Sequence, residues 1–275
     1  MPKDNQFEFA TSQAVDGVML LSASMTDFSY GRHAHEEFSF GVTLEGRQDF
    51  FTQGEQHHSY PGNVLVFNPD DAHDGESGSD DTLRYEMLYV HPDQLAPFLT
   101  AVGVQRSEQF RIATPVLNDA NLQQQILRLA HLVKDDQTSN FAYTSAMFEF
   151  AEQLARFDGV APLTPNKQRD IILLRAREYL YDNLDKEISL DELSQAVHMS
   201  KFHLLRHFKQ HFGMTPYQFW LNGRINKARQ ALLSGQSVQD VALSFGFNDV
   251  SHFNRRFKPI FGATPRQFQR FLAQR

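Results

Sequence analysis

Cysteine is absent from the 275 residues, which excludes disulfides, thiolate zinc sites and a cysteine nucleophile. No apolar run approaches the length of a membrane span, so no membrane partner is expected. Residues 1–10 hold no basic stretch followed by an apolar run. An export signal is therefore not expected there, and the cytoplasm is the expected location. Positive charge is scarce early in the chain: residues 1–166 carry 9 Lys+Arg against 24 Asp+Glu, a net of −15. Residues 167–275 carry 17 against 9, a net of +8, and the two parts give the −7 of the whole. Such an imbalance points to a polyanionic partner for the basic part. Two independently solvated surfaces fit the charges equally well, so motif has to decide.

What is present is enough apolar material for two cores: 41 % hydrophobic residues, with 25 Phe. From about Phe38 to Val90 the chain reads as short strands. Phe38, Phe40, Val42 and Leu44 alternate with Ser39, Gly41 and Thr43, a period-2 pattern with one apolar face. Glu45-Gly46 reads as a tight hairpin turn into 47–53, and Pro61-Gly62-Asn63 as a turn into Val64–Phe67. Strands at this spacing, closed by Leu83–Val90, predict a sandwich or barrel. After Pro115 the texture turns helical. Leu122, Ile126, Leu129 and Val133 share one helix face, which either packs on the barrel or pairs with a second chain. A second helix is expected over Phe141–Phe157. Residues 159–166, with two prolines and a glycine, read as a linker.

An internal repeat dominates the basic part. Residues 203–216 and 252–265 match at an offset of 49, sharing His, Arg, Phe, Lys, Phe, Gly, Thr and Pro in place. In each copy a glycine (Gly213, Gly262) supplies the left-handed residue that ends a helix. Thr-Pro then supplies a cap and a first helical residue, with Gln218 and Gln267 as capping-box partners. Upstream lie shorter helices, one opened by the capping box Ser189…Glu192 and one by Ser237…Asp240. Their apolar faces are expected to be Leu193, Ala196 and Val197, and Val241, Ser244 and Phe245. Tight turns at His198-Met199 and Gly246-Phe247-Asn248 lead to second helices capped by Ser200 and Asp249. Short helix, tight turn, second helix is the helix-turn-helix unit, whose second helix enters the major groove.

Spacing sorts the second helices into faces. Leu204, Phe208, Phe253 and Phe257 are expected in the core, leaving Phe202, Leu205, Arg206, Lys209, Val250, Ser251, Asn254, Arg255 and Lys258 outward. Arg206 and Arg255 suit bidentate contact with guanine, whereas Lys209 and Lys258 suit phosphate. Between the units, Thr215 to Ser234 reads as one helix with a buried stripe of Tyr217, Leu221, Ile225, Ala228 and Leu232. Its roughly 30 Å approaches the ~34 Å of one DNA turn. Trp220 is expected in the core.

These motifs, with Ala242-Leu-Ser-Phe-Gly-Phe-Asn-Asp249 and the Phe253…Pro265 run, resemble the DNA-binding domain of AraC/XylS-family regulators over residues 167–275. The resemblance implies base contacts at Phe202, Leu205, Arg206, Ser251, Asn254 and Arg255. Residues 1–115 resemble that family's cupin-like sensor barrel, through His33-Ala-His35, Glu45-Gly46 and Tyr60-Pro61-Gly62-Asn63…Pro69 leading to His73. A barrel of this kind encloses one small ligand. The resemblance also favours dimerisation through the helical segment 116–158.

The fold class expected is α+β: a cupin-like β-barrel with a helical dimerisation segment, then an all-α domain of two helix-turn-helix units. His33 and His35, two apart on a strand, point one way, with Glu37 continuing that face. His73 and Tyr85 are expected to join them in an effector pocket walled by Phe38 and Phe40. Alternatively the histidines are structural, or His33, His35 and His73 hold a metal. Glu36 and Glu37 follow His35 too closely for the carboxylate of a metal-binding cupin, so no cofactor is the preferred expectation. His57 and His58 are expected to be exposed. The function expected is DNA-binding transcription regulation under a small polar metabolite, without catalysis. Double-stranded DNA, a second copy of the chain and RNA polymerase are its expected partners. A metal-dependent cupin enzyme and a ligand-free architectural DNA-binding protein are the alternatives.

Overall fold

The computed structural model describes residues 5–11, 17–79, 81–135, 140–157, 167–186 and 188–273. The chain forms two compact units, the first of Met1–Tyr30, His35–Ala161 and Phe271–Arg275 and the second of Gly31–Ala34 and Pro162–Arg270. The expected linker, 159–166, lies outside the described residues.

The first unit runs β1 (Gln6–Thr11), β2 (Val18–Met25), β3 (Ser29–His33), β4 (Phe38–Glu45), β5 (Gln48–Thr52), β6 (Glu55–Ser59), β7 (Val64–Phe67), β8 (His73–Ser77) and β9 (Leu83–Val90). There follow α1 (Pro92–Ala101), β10 (Val116–Leu117), α2 (Ala120–Lys134) and α3 (Asn140–Ala155). One sheet has the order β1-β2-β9-β4-β7-β10 and the other β3-β8-β5-β6. Three strands precede Phe38, where the sequence reading began. In β2, Val18 to Leu21 are buried without alternation, so a period-2 pattern is not there to be found.

Strand β4 fixes the layering, because it is buried on both faces. Phe38, Phe40 and Val42 join one core with Leu122, Ile126, Leu129, Val133 and Phe150 of α2 and α3. Phe150 meets Phe40 edge-on, with ring centroids 4.9 Å apart. The opposite face carries Ser39, Gly41 and Thr43, which pair with Tyr89, Met87 and Tyr85 of β9. This corrects the expected pocket wall: Phe38 and Phe40 face the helices, and the polar positions line the inside. Gly41 leaves room there for the Met87 side chain, whose Cε atom would lie 2.8 Å from a Cβ at this position. The stripe on α2 is likewise spent within the chain.

The Glu45-Gly46 turn is also corrected. Strand β4 pairs with β7 and β9, and β5 with β6 and β8, so this turn carries the chain from one sheet to the other. The tight hairpin is β5–β6, where Gln53 (φ 52°) and Gly54 (φ 90°) form a two-residue turn with both φ positive, the form that suits strand twist.

The second unit is helical: α4 (Lys167–Tyr181), α5 (Leu190–Ala196), α6 (Lys201–Phe212), α7 (Pro216–Leu233), α8 (Val238–Ser244), α9 (Val250–Phe261) and α10 (Pro265–Ala273). No helix among the described residues is long and apolar enough to cross a membrane.

The covering of β4 predicts a contrast within α3. Phe150 is fully buried and Phe148 is 39 % exposed. Phe150→Ala is expected to cost about 3–5 kcal/mol in urea unfolding, and Phe148→Ala under about 1 kcal/mol. Equal costs would contradict the packing of α3 on the sheet.

Candidate nucleic-acid interface and candidate effector site

Helices α6 and α9 are each held by three phenylalanines that recur at the offset of the repeat. Phe208, Phe212 and Phe219 pack with centroids 4.5 to 5.5 Å apart. Phe257, Phe261 and Phe268 repeat this at 4.5 to 6.1 Å. The first two rings of each set lie on α6 or α9, and the third lies on the helix beyond the turn. Gly213 (φ 70°) and Gly262 (φ 73°) make that turn. Thr215 and Thr264 each accept a hydrogen bond from the backbone N–H of Gln218 and Gln267, whose side chains accept in return from the threonine N–H. Two reciprocal capping boxes thus fix the exit of both helices.

The turns ahead of α6 and α9 are close relatives with different chemistry. In the first, the Met199 N–H donates to Ser194 O at 3.1 Å, and in the second Phe247 N–H donates to Ala242 O at 2.9 Å. Both are left-handed C-caps. His198 (φ 53°) takes the left-handed position in one and Gly246 (φ 68°) in the other. The second turn is one residue longer, so the caps Ser189 and Ser237 lie 48 apart while Ser200 and Asp249 lie 49 apart. Asp249 caps α9 by accepting from the His252 N–H at 2.6 Å, whereas Ser200 makes no side-chain cap.

Within the helical unit, α7 links the two helix-turn-helix segments through Arg224. Its Nε donates to Leu184 O at 2.5 Å, ahead of the first segment. Its guanidinium lies 4.2 Å over the Trp220 ring. A Cβ on Gly246 would stand 2.6 Å from its terminal nitrogen, so the same guanidinium abuts the turn of the second segment. Trp220 is buried and donates to Asn183 O at 3.1 Å.

In the first unit, His35 and His73 are buried. A chain of rings continues from them. His73 stacks on Phe67 at 3.9 Å and lies 5.3 Å from His35, which meets Tyr89 edge-on at 5.0 Å. Buried Ser39, Thr43, Gln48, Thr52 and Ser59 make the interior polar. Tyr85 bonds instead to Tyr30, oxygen to oxygen at 2.7 Å. Burial pushes both phenols above their ordinary range, so both stay protonated.

Comparison with known proteins agrees with both units. Residues 17–151 match the AraC-like ligand binding domain, and residues 193–270 a helix-turn-helix domain. The chain belongs to the AraC family of transcriptional regulators. Among relatives in the family, the HTH-type transcriptional activator RhaS of Yersinia pestis is 26 % identical over 256 residues, covering 90 % of this chain and 92 % of that one. The HTH-type transcriptional regulator YbfI of Bacillus subtilis is 27 % identical over 225 residues, 81 % of each chain. Unsaturated fatty acid-bound ToxT from Vibrio cholerae shares the fold, with a TM-score of 0.63 at 10 % identity, over 94 % of this chain and 97 % of its own.

Of the positions expected to face DNA in this AraC-family chain, Arg206, Lys209, Ser251, Arg255 and Lys258 are exposed. Leu205, Val250 and Asn254 are half-buried, and the Phe202 side chain lies outside the described residues. Leu204, Phe208, Phe253 and Phe257 are fully buried, as expected. Three face assignments are corrected. Ala196 and Ser244 are exposed, and α7 leaves Tyr217 at 58 % exposure and Leu221 half-buried. Short helices and a helix packed on several sides present no single stripe to read.

Of the three histidines expected to line the pocket, His35 and His73 lie together in the first unit, with ring centroids 5.3 Å apart. Glu37 is buried, and Tyr89 takes the place expected of Tyr85. Period 2 along β9 puts both tyrosines on one face, and only the register to β4 decides between them. His57 is half-buried against Phe50 at 5.4 Å, while His58 is exposed and bonded to Asp49.

The two turns predict substitutions of opposite sign. A left-handed non-glycine residue costs about 1–2 kcal/mol, less the entropy that glycine loses on folding. His198→Gly should therefore stabilise the protein by ~0.5–1 kcal/mol, and Gly246→Ala should destabilise it by more than ~1 kcal/mol. Equal shifts of one sign in thermal unfolding would contradict the assigned turns.

Proposed function

We propose that α6 and α9 read two successive major-groove segments of double-stranded DNA, under the control of a small polar ligand held inside the β-strand unit. The observation that carries the DNA reading is the doubled scaffold. Two helices, each held by an equivalent set of three phenylalanines, expose Arg206 with Lys209, and Arg255 with Lys258. Each guanidinium fork matches the edge of guanine, and each ammonium matches phosphate. Arg256, exposed beside Arg255, adds a further phosphate contact.

The ligand reading rests on the interior of the first unit. ToxT carries an unsaturated fatty acid in one of its structures. Here the inside face of β4 is Ser39, Gly41 and Thr43, and the same unit buries the imidazoles of His35 and His73, so a small polar molecule fits better than an acyl chain. Binding would shift the equilibrium between regulator states by its differential affinity for them. We further propose that two copies pair through the outer surface of α2 and α3, where Phe148 is exposed. RNA polymerase is then the partner of the DNA-bound regulator, and no catalytic step is assigned.

Fluorescence anisotropy on a selected duplex tests the DNA reading. Arg206→Ala and Arg255→Ala are each expected to cost about 1–3 kcal/mol and to relax preference at one base pair. Lys209→Ala should weaken all sequences alike. Unchanged sequence preference in both arginine variants would overturn the assignment. A thermal-shift screen tests the ligand reading: polar metabolites should raise the melting temperature of the full chain, and fatty acids should not. Stabilisation by fatty acids alone would contradict the polar interior.

A further inference from the structure

Between α6 and α9 the repeat keeps some outward residues and changes another. At the offset of 49, Arg206 recurs as Arg255 and Lys209 as Lys258, but Leu205 gives way to Asn254. The changed pair stands directly before the arginines. By helical spacing it sits on the margin between the outward face and the buried stripe of Phe208 or Phe257, and both residues are half-buried. Leu205 is apolar and suits that margin. Asn254 suits it poorly, because its Oδ1 atom is buried and accepts no hydrogen bond from the chain. A buried acceptor left unmade is destabilising, so packing gives no reason for an asparagine here.

The chemistry of DNA gives one. The major-groove edge of adenine presents the N6–H donor beside the N7 acceptor. An asparagine amide answers both: N6–H donates to Oδ1 while Nδ2–H donates to N7. Rotation of the side chain from the margin toward the groove replaces one unmade bond by two made ones, a gain realised only on binding. Leu205 offers neither donor nor acceptor, and its methyl groups suit the C5-methyl of thymine. We propose that the two DNA blocks are not equivalent. Helix α9 reads adenine through Asn254, beside the guanine of Arg255, and α6 reads thymine through Leu205, beside the guanine of Arg206. The inference rests on the reading of α6 and α9 as the helices that enter the major groove.

The test selects duplexes from a random pool with the full chain and its variants. Loss of guanine in Arg206→Ala or Arg255→Ala assigns each block to its helix. In the wild-type α9 block, adenine should be favoured roughly 5- to 150-fold over the other bases. In the α6 block, thymine should be favoured about fourfold, the worth of one buried methyl group. Asn254→Leu should replace adenine by thymine and keep the neighbouring guanine. Leu205→Asn should bring adenine into the α6 block. Should Leu205→Asn fail to fold, Asn254→Ala decides, by losing the adenine preference with guanine kept. Adenine retained in Asn254→Leu and Asn254→Ala, or the same bases in both wild-type blocks, would overturn the proposal while leaving the groove reading intact. Absence of both guanines from the wild-type selection would overturn the groove reading itself, and the proposal with it.

Discussion

Everything in the DNA-reading unit depends on one repeated contact, the packing of Phe208 and Phe212 on Phe219 and of Phe257 and Phe261 on Phe268. A short helix in water is marginal, so its stability comes from tertiary packing. The rings supply that packing across a glycine turn, and the threonine capping box sets the angle at which the next helix leaves. Because the end of each of these helices is fixed, the backbone that carries its exposed arginine and lysine is already in place, and only the side chains have to be ordered on binding. Arg224 extends this logic between the helix-turn-helix segments. It touches the approach to the first segment, the Trp220 ring and the turn of the second, and so ties their separation to the length of α7.

The strand unit solves a different problem. A strand buried on both faces is usually apolar on both, yet β4 alternates phenylalanine and valine with serine, glycine and threonine. The apolar face is satisfied by α2 and α3, which leaves the polar face to the interior. Thr43 and Ser59 answer each other there, oxygen to oxygen at 2.6 Å. Such an interior is built around polar contacts.

The helical unit was legible because its signals are local. Caps, left-handed glycines and the 49-residue repeat all act within a few residues of the feature they specify. The fully buried Phe208 and Phe257 were legible from spacing alone. Phe219 and Phe268 also obey the offset, but they fall past the Thr-Pro turn, beyond the repeated stretch that spacing first defines. The sheet unit was less legible because strand partners are chosen at long range. Glu45-Gly46 looks like a hairpin turn whether the chain folds back or crosses to another sheet. Likewise nothing in Phe38–Leu44 says whether the apolar face looks into a barrel or out to covering helices. The histidines were found because two lie at i and i+2, while Tyr89 was missed because Tyr85 shares its face.

Selection of bound duplexes from a random pool by the full-length chain tests the central claim most directly. Two helices held by the same scaffold at opposite ends of α7 should select two conserved blocks whose centres lie about 10–10.5 base pairs apart. Recovery of a single conserved block, or of no sequence preference at all, would contradict the account.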